Sequence, residues 1–297
     1  MRLIKEVPHI DFMGKRKIGY TISLFLIVVG VISLFLKGGE ILGIDFTGGS
    51  LLNFYFKEPV SLKEIRETLN SANIRANIQS YEGNRGFILR TREENLEKLR
   101  DTIKKKFFKH QPELREERSI GPVVGKLLRR QALLAVCFAL IGMLIYLAWR
   151  FEFIFGASAV ICLFHDVIIT LGICALTSRL ISVPLIAAFL TVVGYSANDT
   201  IVLFDRVREN MKLMRGKEFS LIINESINQV LSRTILTSLT TLLVVVSLFF
   251  LGTATIKDFS FAIIVGILVG TYSSIFIASP IVLAWRKEKK RRHYRRR

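Results

Sequence analysis

Residues 153–175 read FIFGASAVICLFHDVIITLGICA, an apolar run carrying one acidic side chain, Asp166, next to His165. At about 1.5 Å rise per residue such a run is about 34 Å long as a helix, enough to cross the roughly 30 Å hydrocarbon core of a bilayer. Five more runs share this character, at 18–36, 131–149, 181–204, 234–251 and 259–285. The chain therefore reads as an α-helical membrane protein with six transmembrane helices.

Composition agrees: of 297 residues 51% are hydrophobic and 22% charged, with a mean hydropathy of +0.42. The first run has 19 apolar residues followed by Lys37-Gly38-Gly39-Glu40. That is too long for the apolar part of a signal peptide and lacks a small-residue cleavage pattern, so it reads as an uncleaved anchor. Cys137, Cys162 and Cys174 all lie within apolar runs, which excludes a disulfide-stapled secreted domain and marks them as packing residues.

The net charge of +18 is unevenly placed. Lys15, Arg16 and Lys17 close an N-terminal arm, residues 1–17; Arg206, Arg208, Lys212, Arg215 and Lys217 lie in segment 206–233; residues 286–297 hold nine Lys/Arg and one Glu. Basic residues in short loops stay cytoplasmic, and six spans put all three clusters on one side. Both termini are thus expected inside, in a multi-pass protein of the cytoplasmic (inner) membrane. A polybasic tail directly after a span points to anionic lipid rather than nucleic acid.

Segment 37–130 falls on the opposite side. Strands are expected at Leu51–Phe56, Ile74–Ser80, Phe87–Thr91 and Glu113–Ser119. One helix starts at the Ser61–Glu64 capping box, and a second carries Leu96, Leu99, Ile103 and Phe107 at helical spacing. The order β-α-β-β-α-β predicts a ferredoxin-like α+β domain between helices 1 and 2. It offers no nucleophile, base and orienter set and no metal-ligand spacing, so no enzyme and no cofactor is expected; spans 2–6 occupy 131–285.

Ionisable groups inside spans are costly and mark pathways or bundle interiors. Asp166 lies about 20 Å along its helix from Phe153. Asp199 shares a helical face with Tyr195 and Asn198 at i−4 and i−1. On the fifth span Arg233, Thr237 and Thr241 form a polar stripe, and Arg233 is within reach of Asp199, where an ion pair would keep the acid charged. His165 is either a hydrogen-bonding packing residue or part of the same relay. Gly266 and Gly270 allow close helix approach, Thr271 and Ser274 add hydroxyls, and Pro280 is placed to kink the last span.

These residues resemble a known family, the SecF proteins of the bacterial Sec export machinery, within the SecD/SecF family of the resistance-nodulation-division (RND) superfamily. The resemblance spans nearly the whole chain. It is carried by Gly43-Ile44-Asp45-Phe46-Thr47-Gly48-Gly49, Arg150-Phe151-Glu152, His165-Asp166-Val167, Gly194-Tyr195-Ser196, Asn198-Asp199-Thr200, Phe204-Asp205-Arg206-Val207-Arg208-Glu209-Asn210, Ser232-Arg233-Thr234 and Gly270-Thr271-Tyr272-Ser273-Ser274. It implies a subunit that works with SecD beside the SecYEG channel, and with YajC. Such a subunit uses the proton gradient, with protons as coupling ion, to draw unfolded polypeptide outward. It also implies a proton-relay acid at Asp199 and a functional arginine at Arg233. Six spans are half of the twelve-span RND architecture, so a complete pathway needs a partner. Gly43–Gly49 lacks a following Lys-Ser/Thr and is expected to be a tight turn into the first strand, not a phosphate loop. Two rivals are a non-conducting scaffold that stabilises the channel, its buried charges setting helix register, and a small-molecule exporter of the RND type.

Overall fold

A computed structural model describes residues 9–91 and 96–286; the basic tail from Lys287 onward and the first eight residues of the arm lie outside the described residues. In chain order the elements are α1 (Arg16–Lys37), α2 (Ile44–Thr47), β1 (Gly49–Tyr55), α3 (Leu62–Ser71), β2 (Ala76–Tyr81), β3 (Gly86–Thr91), α4 (Leu96–Lys106), β4 (Glu113–Ile120), α5 (Pro122–Arg150), α6 (Phe153–Leu176), α7 (Val183–Leu213), α8 (Phe219–Leu251) and α9 (Ala254–Ser273). They form two compact units, Met1–Ile41 with Ala135–Arg297, and Leu42–Leu134.

Among the described residues six helices are long and apolar enough to cross a membrane: α1, α5, α6, α7, α8, and α9 continued to Arg286. About half of the apolar stretch of α6, α7 and α9 is buried, against under a quarter for α1, α5 and α8. The interior is therefore built by α6, α7 and α9. Large parts of the other three helices present apolar side chains outward, as a membrane-facing surface does. Several helices extend past their apolar runs. Segment 206–233 is largely helical, forming the end of α7 and the beginning of α8 around a turn at Gly216, where φ is +86°. Hydropathy reports the hydrocarbon slab, whereas these extensions are held by Val207, Ile223 and Ile227 packed with Phe204.

Small residues set the closest approaches. A Cβ on Gly172 of α6 would lie 2.5 Å from the Cα of Gly30 on α1; one on Gly266 would lie 2.1 Å from Val192, and one on Gly270 2.9 Å from the Cβ of Ser196, both on α7. With no hydrophobic drive between helices in lipid, such contacts are where packing energy is gained. The Lys37 ammonium donates to the Ala175 carbonyl and to Ser178 Oγ, tying the end of α1 to that of α6. At the other end, Asn228 exchanges two hydrogen bonds with the backbone of Ile10 (3.1 and 2.9 Å), and Asn224 accepts from Met13 N–H (2.9 Å) and donates to Asp11 (2.7 Å). Two asparagines one turn apart on α8 thus clamp the arm.

The second unit is a four-stranded antiparallel sheet of order β2-β3-β1-β4 with α3 and α4. Its core gathers Leu52, Phe54, Phe87 and Leu89 from the strands with Ile65, Leu69, Leu99 and Ile103 from the helices. The Ser61 hydroxyl caps α3 by accepting from Lys63 N–H, and Glu82, Gly83 and Asn84, all at positive φ, turn β2 into β3. Within Gly43–Gly49, Ile44–Thr47 form the single-turn helix α2, capped by Gly43 and Gly48 and leading into β1 at Gly49, with Asp45 and Phe46 buried. At Gly48, φ is +72° and a Cβ would sit 3.1 Å from the Cα of Pro122, so glycine is required twice over.

Two outcomes follow. Gly172→Val should lower the thermal unfolding midpoint of the solubilised chain through an overpacking cost of about 1–3 kcal/mol, while Gly142→Val, where nothing lies within 4 Å of a Cβ, should not. Asp11 accepts from Gly14 N–H and from Asn224, which hold its carboxyl below the ordinary 3.8. A depressed pKa stabilises docking above the ordinary value and loses that contribution as pH falls through the depressed one. The anisotropy of a probe at His9→Cys should therefore stay flat from about pH 7 to 5 and fall only in stronger acid; a fall complete by pH 5 would contradict the contact.

Candidate functional site

Each ionisable group in the bundle interior must find its partners on neighbouring helices, because the hydrocarbon supplies none. Asp166 is fully buried on α6. Its Oδ1 lies 2.8 Å from His165 Nδ1, and its Oδ2 accepts from Ser196 of α7 at 2.5 Å and Ser273 of α9 at 2.8 Å. His165, 7% exposed, reaches back with Nε2 to Ser23 of α1, 2.8 Å away. Ser23 in turn meets Tyr272 Oη at 3.1 Å, and the Tyr272 hydroxyl donates to the Gly19 carbonyl at 2.5 Å. The Cys162 thiol donates to Ser273 Oγ. One acid thus joins four helices, α1, α6, α7 and α9. Adjacent residues on a helix point about 100° apart, yet the His165 ring folds over onto the carboxylate beside it.

Asp199, 4% exposed, lies further along α7. The Thr271 hydroxyl of α9 lies close enough to act on its carboxyl, and Thr271 shares a hydrogen bond of 2.8 Å with Ser238 of α8, which accepts from the Tyr195 hydroxyl at 3.3 Å. Asp199 Oδ2 has no hydrogen-bond partner among the described residues. Arg233 acts on Asp199 electrostatically, but the ion pairs among the described residues do not join them within 4.0 Å. The expected direct Asp–Arg contact is therefore replaced by a longer-range attraction, with the Thr271 hydroxyl as the nearer polar influence.

The structure redistributes the other expected residues. Tyr195 stays beside the site, but Asn198 is exposed: the arc through i−4, i−1 and i is wide, and packing buries only its Tyr195–Asp199 side. Arg233 is exposed, and Thr237 and Thr241 bond carbonyls of their own helix. The polar stripe of α8 thus starts at an exposed Arg233 and continues through half-buried Thr237 and Thr241, and the buried α8 side chain at the site is Ser238. Helical spacing shows that residues share a face, not where that face points. Gly266 and Gly270 do pack α9 against α7. Ser23, Ser196, Tyr272 and Ser273 are functional candidates that sequence reasoning passed over. Their signal was a hydroxyl near a glycine where helices touch: Ser196 opposite Gly270, with Tyr272 and Ser273 just beyond Gly270.

Other family-motif residues also meet. Arg150, the last residue of α5, pairs with Asp205 of α7 at 2.6 Å, and Arg208 lies 3.7 Å from the same carboxylate. Phe204 packs edge-on against Phe151 and Phe155. Among the described residues no group of three or more His, Cys, Asp or Glu is placed to hold a metal ion.

Comparison with known proteins gives a consistent picture. The family described as "Protein export membrane protein SecD/SecF, C-terminal" matches residues 100–288. A protein translocase subunit SecF of Thermodesulfovibrio yellowstonii is 43% identical over 93% of this chain and 94% of its own length. That of Calditerrivibrio nitroreducens is 42% identical over 98% and 99%. The crystal structure of SecDF, a translocon-associated membrane protein from Thermus thermophilus, superposes with a TM-score of 0.85 at 38% identity and 97% coverage of this chain. This chain spans 40% of that one.

Replacing Asp166 by Ala would leave His165, Ser196 and Ser273 facing a void. The expected cost is about 3–5 kcal/mol, as when one partner of a buried pair is removed, read as a lower unfolding midpoint; Asp166→Asn, which still accepts hydrogen bonds, should cost less. Equal midpoints for Asp166→Ala and wild type would exclude a hub at this residue.

Proposed function

Because the chain belongs to the SecD/SecF family of protein-export membrane proteins, we propose that it is the SecF-type half of a proton-driven export motor. It works with SecD beside the SecYEG channel in the cytoplasmic membrane, both termini inside. The unit Leu42–Leu134, whose strand order is that of a ferredoxin-like split βαβ fold, lies on the outer side and acts on the emerging unfolded polypeptide. The basic tail meets anionic lipid. The SecDF likeness, in which this chain matches two fifths of a longer chain, supports a partner that supplies the other half. The outward apolar faces of α1, α5 and α8 leave surface for it and for lipid.

One observation carries the mechanism: Asp199 is a buried carboxyl between α7 and α9 with one oxygen left without a hydrogen bond. Gain or loss of a proton there changes which bonds it makes with Thr271 and how strongly it attracts Arg233. Thr271 is shared with Ser238 of α8, so that change is passed to α8 and α9 together. One proton falling through 100 mV releases about 2.3 kcal/mol, enough to bias a two-state bundle by roughly fiftyfold. The proton is the coupling ion, and no cofactor takes part.

With the partner present, Asp199→Asn should assemble normally yet abolish gradient-driven completion of export in membrane vesicles, leaving ATP-driven initiation. Unchanged dependence on the gradient would sink the relay; loss of assembly would favour a scaffold.

A further inference from the structure

The hydrogen bonds around His165 acquire a direction from donor and acceptor chemistry alone. A carbonyl can only accept, so the Tyr272 hydroxyl proton is committed to Gly19. Ser23 must then donate to Tyr272 Oη. Having spent its one proton there, Ser23 accepts from His165, so Nε2 carries a hydrogen. What remains is a single proton between His165 Nδ1 and Asp166 Oδ1. Whichever atom holds it, the pair has no net charge, the condition that burial tolerates. The distances resemble those of a Ser-His-Asp hydrolase, but the direction is reversed: His165 donates to Ser23 and cannot serve as its base.

Asp199 and this pair meet through one stretch of α9. Thr271 bonds Ser238 and acts on the Asp199 carboxyl; Tyr272 serves Ser23 and Gly19 of α1; Ser273 shares its one proton between Asp166 of α6 at 2.8 Å and the Gly270 carbonyl at 3.1 Å. Three consecutive hydroxyls, about 100° apart, therefore contact three sets of neighbours. Directly after them the helix widens into a π turn, Ser274–Ala278. Pro280 follows without an N–H to give, and the Ser279 hydroxyl takes up the Ser274 carbonyl at 3.0 Å. A π turn is a point where a helix changes register at low cost, and such turns concentrate at functional sites.

We propose that His165 and Asp166 form a second intramembrane site, a proton-sharing clamp that positions α1, coupled to Asp199 through the Thr271-Tyr272-Ser273 row of α9. The coupling half rests on Asp199 being the group that exchanges the proton. The side chains facing the pair are Ser23 from α1, Ser196 from α7, and Ser273 and Tyr272 from α9; of these only Tyr272 titrates, together with Cys162 on α6 itself. α1 is the helix joined in sequence to the unit Leu42–Leu134, so holding or releasing it is a direct route from the bundle to that unit. His165 and Asp166 are positioning residues here and need not pass a proton across the membrane.

The test is a cycle of variants in the full chain, copurified with its SecD partner in lipid nanodiscs, reading hydrogen exchange of α1 amides from Gly19 to Gly30. Asp199→Asn should change α1 exchange by at least about fivefold, and Tyr272→Phe should erase that response while leaving exchange in α7 and α8 unaltered. A purely structural Tyr272 would loosen α1 equally with or without Asp199, which overturns the clamp. No response of α1 to Asp199→Asn overturns it as well. Asp166→Asn provides a second arm and should uncouple α1 as Tyr272→Phe does. Gradient-driven export measured on the same samples separates the two readings: lost export with an unresponsive α1 keeps the relay and removes the clamp, whereas normal export with a Tyr272-dependent response does the reverse.

Discussion

A carboxyl group placed halfway along an apolar helix has no water to turn to, and Asp166 meets that constraint by drawing hydroxyls from α7 and α9 and an imidazole from its own helix. Much of the bundle's arrangement follows. Ser196 and Ser273 reach one oxygen only if α7 and α9 touch closely, and Gly266 and Gly270 provide that approach. His165 reaches Ser23 only if α1 lies against α6, and Gly30 facing Gly172 provides that one. Polar satisfaction and small-residue packing are therefore one requirement seen from two sides. Glycine brings the helices together, and the buried acid sets which hydroxyls meet.

The two acids solve the same problem differently. Asp166 is completely paired, and its partners hold four helices in place. Asp199 keeps an unpaired oxygen, beside a hydroxyl that is bonded to α8 and an arginine that acts on it without contact. A fully satisfied group resists change, while an incompletely satisfied one rearranges its bonds when its proton comes or goes. That division suits the motor we propose, in which one charge must move the structure and the rest must transmit the movement. α9 lies between them, with its row of hydroxyls followed by a π turn.

Much of this was legible in the sequence for physical reasons. A bilayer demands about twenty apolar residues per span, so the six runs stand out without reference to tertiary contacts. Strand alternation and the Ser61 cap are local, and the sheet elements fall within a few residues of their expected places. Asp166 and Asp199 were visible because charge in hydrocarbon is rare. The ends of α5, α7 and α8 were not, since polar helix beyond the membrane leaves no mark in hydropathy. Nor was the outward turn of Arg233 and Asn198, because a periodic pattern fixes a face but not its direction.

Sequence by itself determined the class of protein, the number of apolar runs long enough to cross a bilayer, the order of strands and helices in the inserted unit, and which buried groups needed an explanation. All of these depend on local composition and period. Only the tertiary structure decided that Asp166 bonds His165, Ser196 and Ser273, that His165 reaches on to Ser23 and Tyr272, and that Arg233 acts on Asp199 without direct contact. These partners lie 30 to 142 residues from Asp166 or His165 in the chain. A hydrogen bond is set by a few tenths of an ångström of helix packing, and sequence spacing carries no record of that.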